Sequence, residues 1–427
     1  MLTVFLERYD YKKIYSFLIY AFIFTLPLQI NIIYYSPKLF LGGNFNIYLH
    51  FLLYIGDLFL LLSLFFLGIA VYLRRVKFKR INSKIFPFLT LFILVSIFSY
   101  FFAIDKNIAF FSILRILSFY YLYLLIENEI VSFDKIKKLF IFSVFFQAII
   151  AIFQFITQSS LCFEVLGEPV IGAEVPGVAK INFGDLKIVR VYGTFPHPNI
   201  FSLFVLTAIF FVLQFIEKKT DKNLNLFFLV IFLIALLLAF SRLAILGLIG
   251  LLFFYLLYSK SIKKWVVMTI GAVLGLILLA SLAFPLKSLL VERITDMESI
   301  NERIELMEIS SNMFLENPFG VGMKNFTLAM SDYTDQKLFP WEYQPVHNVF
   351  MLILNELGVI ALILFVFMLI LIFKNINKKN IGFYLAIVLF LLFDHFLFSL
   401  YQGQVLLFLF LTSGIIGNEI KESYSKE

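Results

Sequence analysis

Hydrophobic positions in this chain come in long unbroken runs, not in the alternation of strands or the one-sided stripes of surface helices. Stretches of roughly 17 to 25 apolar residues, the length a helix needs to cross a hydrocarbon core of about 30 Å, fall near 15–35, 50–73, 85–103, 108–126, 139–157, 198–216, 224–240, 242–258, 265–284, 347–373, 381–399 and 401–417. The pattern predicts an all-α integral membrane fold of about twelve transmembrane helices. Its natural sections are 1–197 (helices 1–5 and a first long outer loop, 158–197), 198–284 (helices 6–9), 285–346 (a large outer loop) and 347–427 (helices 10–12 and an inner tail). No internal repeat stands out, and no soluble domain is expected at either end.

Composition strengthens this reading: 61% apolar residues, 57 Phe and a mean hydropathy of +0.95 exceed what a soluble chain of 427 residues needs. Charge then orients the helices. With the N-terminus inside, the inner connections and tails hold 23 of the 35 basic residues against 10 acidic ones, while the outer segments hold 11 basic and 15 acidic. Both termini are therefore expected in the cytoplasm. The net charge of +7 reflects this topology and contact with anionic lipid, which argues for membrane lipids and against nucleic acid as partners. The first span follows Lys12-Lys13 and runs into Pro27 without a small-residue cleavage site, so it reads as a retained anchor. The single cysteine, Cys162, excludes an intrachain disulfide and a zinc-thiolate site.

Both long outer loops exceed what a connection requires. In the second, Ser299-x-x-Glu302 has capping-box spacing, and Ile300, Ile304, Met307 and Phe314 recur at helical intervals until Asn317-Pro318. Glu302, Arg303 and Glu305 lie off that stripe, which predicts an amphipathic helix resting on the membrane surface. Pro318-Phe319-Gly320-Val321-Gly322 supplies a turn, and Trp341 with Tyr343 suits the interface before the chain re-enters at His347.

Four arginines gather at the outer boundary: Arg190, Arg242, Arg293 and Arg303. Their planar donor forks fit phosphate oxygens and could neutralise a diphosphate; they also fit the simpler role of anchors that snorkel to headgroups. Arg242 sits in a tight outer turn, against the positive-inside bias. His347-Asn348 stands at the outer mouth of the tenth span. The histidine is either a helix-start residue bonded to a loop carbonyl or a general base for an acceptor hydroxyl. Leu354 and Gly358 return to its face, so Gly358 leaves either a groove or a close helix contact. His197 shares the loop of Arg190. Asp394-His395, near the outer end of the eleventh span, either supports the site or leaves Asp394 to pair with Arg115; Asp57 has no assigned partner. No Asp-x-Asp occurs, and the first outer loop, 36–49, has no acidic residue. This favours arginine-based chemistry with no metal and no cofactor over the acidic pairs that hold a cation against a diphosphate.

Arg190-Val-Tyr-Gly193-Thr194-Phe195 with Pro198-Asn199, then Ser241-Arg242, then Arg303 leading to Asn317-Pro318, Gly320-Val321-Gly322 and Asn325-Phe326, and finally His347-Asn348-x9-Gly358, together resemble the ordered motifs of the O-antigen ligase and polymerase superfamily. The resemblance covers 190–361 closely and extends over the whole chain through the span plan. It implies a C-type glycosyltransferase-like membrane enzyme that moves a glycan from undecaprenyl diphosphate to an acceptor hydroxyl at the periplasmic face, the lipid A core in ligases, with inversion at the anomeric carbon. In this sequence it implies His347 as the base, Arg190, Arg242 and Arg303 as diphosphate binders with Arg293 a weaker member, and Asn348, Asp394 and His197 in support. The ligase pattern has Gly, Thr or Tyr three residues after the glycine, where this chain has Ala361; that keeps a polymerase or a protein O-oligosaccharyltransferase beside the ligase. The rival from another class is a transporter of lipid-linked glycan, which the unequal halves and boundary arginines disfavour.

Overall fold

The computed structural model describes residues 9–37, 45–183, 186–259, 271, 275 and 297–412. Apart from residues 271 and 275, the ninth predicted span, 265–284, lies outside these, as do Arg293 and the end of the chain from 413. The protein is mostly helical, with several apolar helices compatible with a membrane protein. Its helices are α1 (Tyr11–Thr25), α2 (Ile55–Tyr72), α3 (Phe86–Phe98), α4 (Lys106–Glu127), α5 (Phe133–Thr157), α6 (Pro198–Glu217), α7 (Lys222–Leu238), α8 (Arg242–Tyr258), α9 (Met297–Glu316), the single turn α10 (Phe326–Ala329), α11 (Val349–Leu357), α12 (Val359–Asn375), α13 (Ile381–Phe393), the single turn α14 (Phe396–Ser399) and α15 (Tyr401–Phe410). Among the described residues, α2, α4, α5 and α6 are long and apolar enough to cross a membrane alone, and the other apolar helices are shorter.

Two antiparallel hairpins depart from the all-α expectation. Strand β1 (Asn31–Tyr35) pairs with β2 (Phe51–Tyr54), Asn31 opposite Tyr54 and Ile32 opposite Leu53; β3 (Lys180–Phe183) pairs with β4 (Leu186–Val189). The first pair had been absorbed into the runs 15–35 and 50–73, because an apolar run does not by itself separate helix from strand. Helix α1 stops just before Pro27, and the β-branched and aromatic run Ile32-Ile33-Tyr34-Tyr35 suits a pleated surface.

The core is organised around α6. This helix is apolar on every side, the signature of a buried element, and Ile200, Phe201, Phe204, Phe210 and Phe211 are fully enclosed. Phe210 stacks on Phe383 of α13 with ring centroids 4.1 Å apart. Helix α6 thus fixes its own N-terminus, where the polar outer residues begin.

The tenth and eleventh predicted spans are each broken. The tenth divides at Gly358 into α11 and α12, and the turn 318–322 fills the break. Val321 and Gly322 donate to the carbonyls of Asn355 and Glu356 at 2.8 and 3.0 Å, and Val359 donates to Pro318 at 3.2 Å. Gly358 and Gly320 both have φ of +86°; a Cβ on Gly358 would lie 2.7 Å from the Phe319 carbonyl carbon, and one on Gly320 would lie 2.6 Å from the Glu356 oxygen. Gly358 therefore leaves no groove for a lipid tail: loop backbone occupies it. The eleventh span breaks at Asp394, whose extended backbone ends α13.

A buried ion pair joins α2 and α4. Arg115 of α4 donates to Asp57 of α2 at 2.8 Å and to the Leu52 carbonyl, with its guanidinium 4.0 Å from the Phe51 ring centroid. This gives Asp57 its partner, so Arg115 is engaged there and not with Asp394. Nearby, the Lys324 backbone donates to Glu356 at 2.8 Å, and its ammonium donates to the His50 carbonyl. Burial, reinforced by Arg115 and opposed by Glu356, pushes Lys324 down to about 7.

Candidate functional site

The site forms where three chain segments leave helical geometry at one end of α6. The first runs from β4 to α6 and is pinned from α5: Gln154 accepts from the backbone N–H groups of Tyr192 and Gly193 at 3.1 and 2.9 Å, and Gln147 accepts from that of Thr194 at 2.8 Å. This sets the direction of Arg190. Its Nε donates to the Ala239 carbonyl at 2.8 Å and its Nη2 to Asn199 Oδ1 at 2.9 Å. His197 takes the N-cap of α6, its Nδ1 accepting from the Asn199 N–H at 3.1 Å, with Pro198 suited to the first turn.

The second segment enters α11. Asn348 is the N-cap, its Oδ1 accepting from Met351 N–H at 3.1 Å while its Nδ2 donates to the Leu392 carbonyl at 3.2 Å. One side chain therefore starts the helix and ties it to the end of α13. His347 precedes this cap in a bend. The third segment is the break after α13. Asn199 Nδ2 donates to Asp394 Oδ2 at 2.9 Å, and Asp394 Oδ1 accepts the N–H of His395 at 2.8 Å. His395 Nδ1 pairs with Ser399 Oγ at 2.7 Å, the His395 ring lies 4.9 Å from that of His347, and Tyr48 presents an edge to it at 5.2 Å.

A hydrogen-bonded chain results, from Ala239 through Arg190, Asn199 and Asp394 to the backbone of His395, with the His347 ring packed beside that of His395. Arg190, Asp394 and His395 are buried. His347 is half-buried, but its Nδ1 is sealed from solvent and has no hydrogen-bond partner. Burial lowers the pKa of this imidazole below the ordinary histidine value, with Asp394 opposing and Arg303 adding to the effect. Among the described residues, His347, Asp394 and His395 form a set able to hold a metal ion, each with a ligand atom within 4.8 Å of the others.

The remaining expected members fall as follows. Arg303, half-buried on α9, acts on His347 through its charge; the neighbouring Glu302 accepts from Gln344 in the strand of chain that leads to His347. Helix α9 is already helical at Met297, ahead of the expected capping box, and it packs through Leu306, Ile309, Ser310 and Met313, leaving the Ile304 and Met307 stripe exposed. Arg242 opens α8 with an exposed side chain, and its turn joins the cluster through the bond from Arg190 to Ala239. Arg293 lies outside the described residues. Tyr48 and Ser399 were not singled out from sequence, since neither belongs to a motif and their place beside His395 exists only in the fold. Asn199 stood in the quoted motif, but with no role until the structure showed it between two opposite charges.

A cluster of arginine, histidine and carboxylate thus gathers where apolar helices begin or break. A family model described as O-antigen ligase matches residues 227–366, a stretch that contains Arg242, Arg303 and His347. No match was found among curated proteins.

Proposed function

We propose that the protein is an O-antigen ligase-like glycosyltransferase of the bacterial inner membrane, with both termini in the cytoplasm and its site facing the periplasm. It takes a glycan from undecaprenyl diphosphate and delivers it to an acceptor hydroxyl, that of a lipid A core in the ligase reaction. The observation that supports this most is His347, a half-buried imidazole held beside Asp394 in a cluster that also feels Arg303. Burial favours the neutral imidazole, whose unprotonated nitrogen can accept the hydroxyl proton as the acceptor oxygen attacks the anomeric carbon. Asp394 orients and stabilises the imidazolium that forms, as a carboxylate does for any histidine base.

The leaving group is a lipid diphosphate, whose developing charge needs fixed cations. Arg303 and Arg242 supply donors for it, with Arg293 as a further member, while Arg190 is committed to Ala239 and Asn199 and acts by positioning. His197 and Asn348 are helix caps that fix the two helix starts. Attack opposite the leaving diphosphate inverts the anomeric carbon, and no metal is required by these roles. Transfer needs no nucleotide, since the sugar-diphosphate bond supplies the driving force.

Ala361, in place of the ligase residue, favours a second reading within the superfamily: a polymerase, or an enzyme that glycosylates protein, with a glycan chain or a protein as acceptor. The glycan profile of cells lacking the protein separates them. Unattached full-length polymer supports the ligase; single repeat units support the polymerase. Against a transporter, purified protein in vesicles with labelled lipid-linked glycan and acceptor should give conjugate. Movement of labelled lipid across the bilayer without conjugate would overturn the enzyme reading.

A further inference from the structure

His347 and the two side chains beside it, Asp394 and His395, have the composition of a transition-metal site. Two imidazoles and one carboxylate, with ligand atoms within 4.8 Å of one another, suit zinc and its neighbours in the first transition row; magnesium and calcium require oxygen donors. Small side-chain rotations would bring these atoms to bonding separations. The surroundings resemble the outer shell of a metal centre. Ser399 holds His395 Nδ1 at 2.7 Å, which leaves Nε2 for an ion, and Asn199, itself held by Arg190, fixes one oxygen of Asp394 at 2.9 Å. His347 Nδ1 is buried without any partner, a costly state that an ion would relieve.

We propose that His347, Asp394 and His395 bind a late first-row divalent cation, zinc above all, and that the bound ion inhibits transfer by occupying the lone pair of His347. The positive charges of Arg190 and Arg303 oppose a dication, so the ion is a reversible inhibitor and not a resident cofactor. The inhibitory half rests on His347 being the base; the binding half does not.

The test uses full-length protein in detergent, stripped with chelator and titrated with cobalt(II) as a spectroscopic substitute for zinc. Visible absorption should grow to saturation, be displaced by zinc and be untouched by magnesium. His395→Gln and Asp394→Asn should lose the signal, and Ser399→Ala should weaken cobalt affinity roughly 10- to 100-fold. In the transfer assay, zinc should inhibit the unsubstituted protein and chelator should restore it. The absence of a saturable cobalt signal from the unsubstituted protein, which needs no variant to fold, would overturn the proposal, as would a signal unchanged in both His395→Gln and Asp394→Asn. Cobalt binding together with transfer that survives His347→Ala would keep the metal site and remove the base. Transfer abolished by His347→Ala with no cobalt signal would keep the base and remove the site.

Discussion

Arg303 is half-buried and Arg242 exposed, whereas Arg190 is enclosed. Arg190 is buried and bonded to Ala239 and Asn199, so its replacement disturbs folding and substrate binding together. Arg303→Gln and Arg242→Gln are cleaner probes of diphosphate recognition. Each should weaken binding of the labelled donor lipid by about tenfold or more, taking a charge-assisted hydrogen bond as about 1.5–3 kcal/mol. Equilibrium binding in detergent measures it, and unchanged affinity in both variants would contradict the assignment. At this scale the sequence was informative where a residue violated its surroundings: His347 in an apolar mouth, Arg242 in an outward turn. It was silent on Asn199, because an asparagine two residues after a helix cap is ordinary until Arg190 and Asp394 stand on either side of it.

Among the elements, the breaks matter more than the runs. Helix positions followed from hydrophobic length, but the interruptions at Gly358 and Asp394 and the β1–β2 hairpin did not, since each lies within a continuous apolar stretch and is imposed by a distant partner. Gly358 shows the reason: its φ of +86° and its contact with the 318–322 turn depend on a loop some forty residues earlier. Gly358→Ala and Gly320→Ala should each lower stability by more than about 1 kcal/mol, from the strained backbone alone. They should also reduce transfer, because the turn anchors the helix that follows His347. Thermal unfolding in detergent reads the first effect, and unchanged midpoints would contradict the packing described.

The same turn carries Lys324, held at about 7 against an unfolded value near 10.5. Between these values the unfolded chain binds the proton and the folded chain does not, so stability rises with pH across that window. The apparent unfolding midpoint should therefore increase from pH 7 to about pH 9, and Lys324→Met should flatten that rise. An equal slope in the variant would show that Lys324 keeps its ordinary pKa.

For the whole molecule, the packing depends on charge pairing that hydropathy cannot reveal. Asp57 and Arg115 lie in separate apolar runs, and nothing in either run names the other; only the packing of α2, β2 and α4 joins them at 2.8 Å. Asp57→Leu or Arg115→Met alone should cost roughly 3–5 kcal/mol by leaving a buried charge without its partner, whereas the double replacement of both should recover much of the loss. A double-mutant cycle on thermal stability checks this, and strict additivity would show the pair to be uncoupled. The span plan read from the sequence agrees with the positions of most described helices, while the ion pairs, hairpins and helix breaks that shape the outer site required the fold.

The most direct test of the chemistry is glycosyl transfer by protein in vesicles, with donor lipid binding measured on the same preparation, for the unsubstituted chain and for His347→Ala. The base role requires that the variant bind donor nearly as well while transfer falls by roughly 10²- to 10⁴-fold or becomes undetectable. Turnover retained at the unsubstituted rate would contradict it.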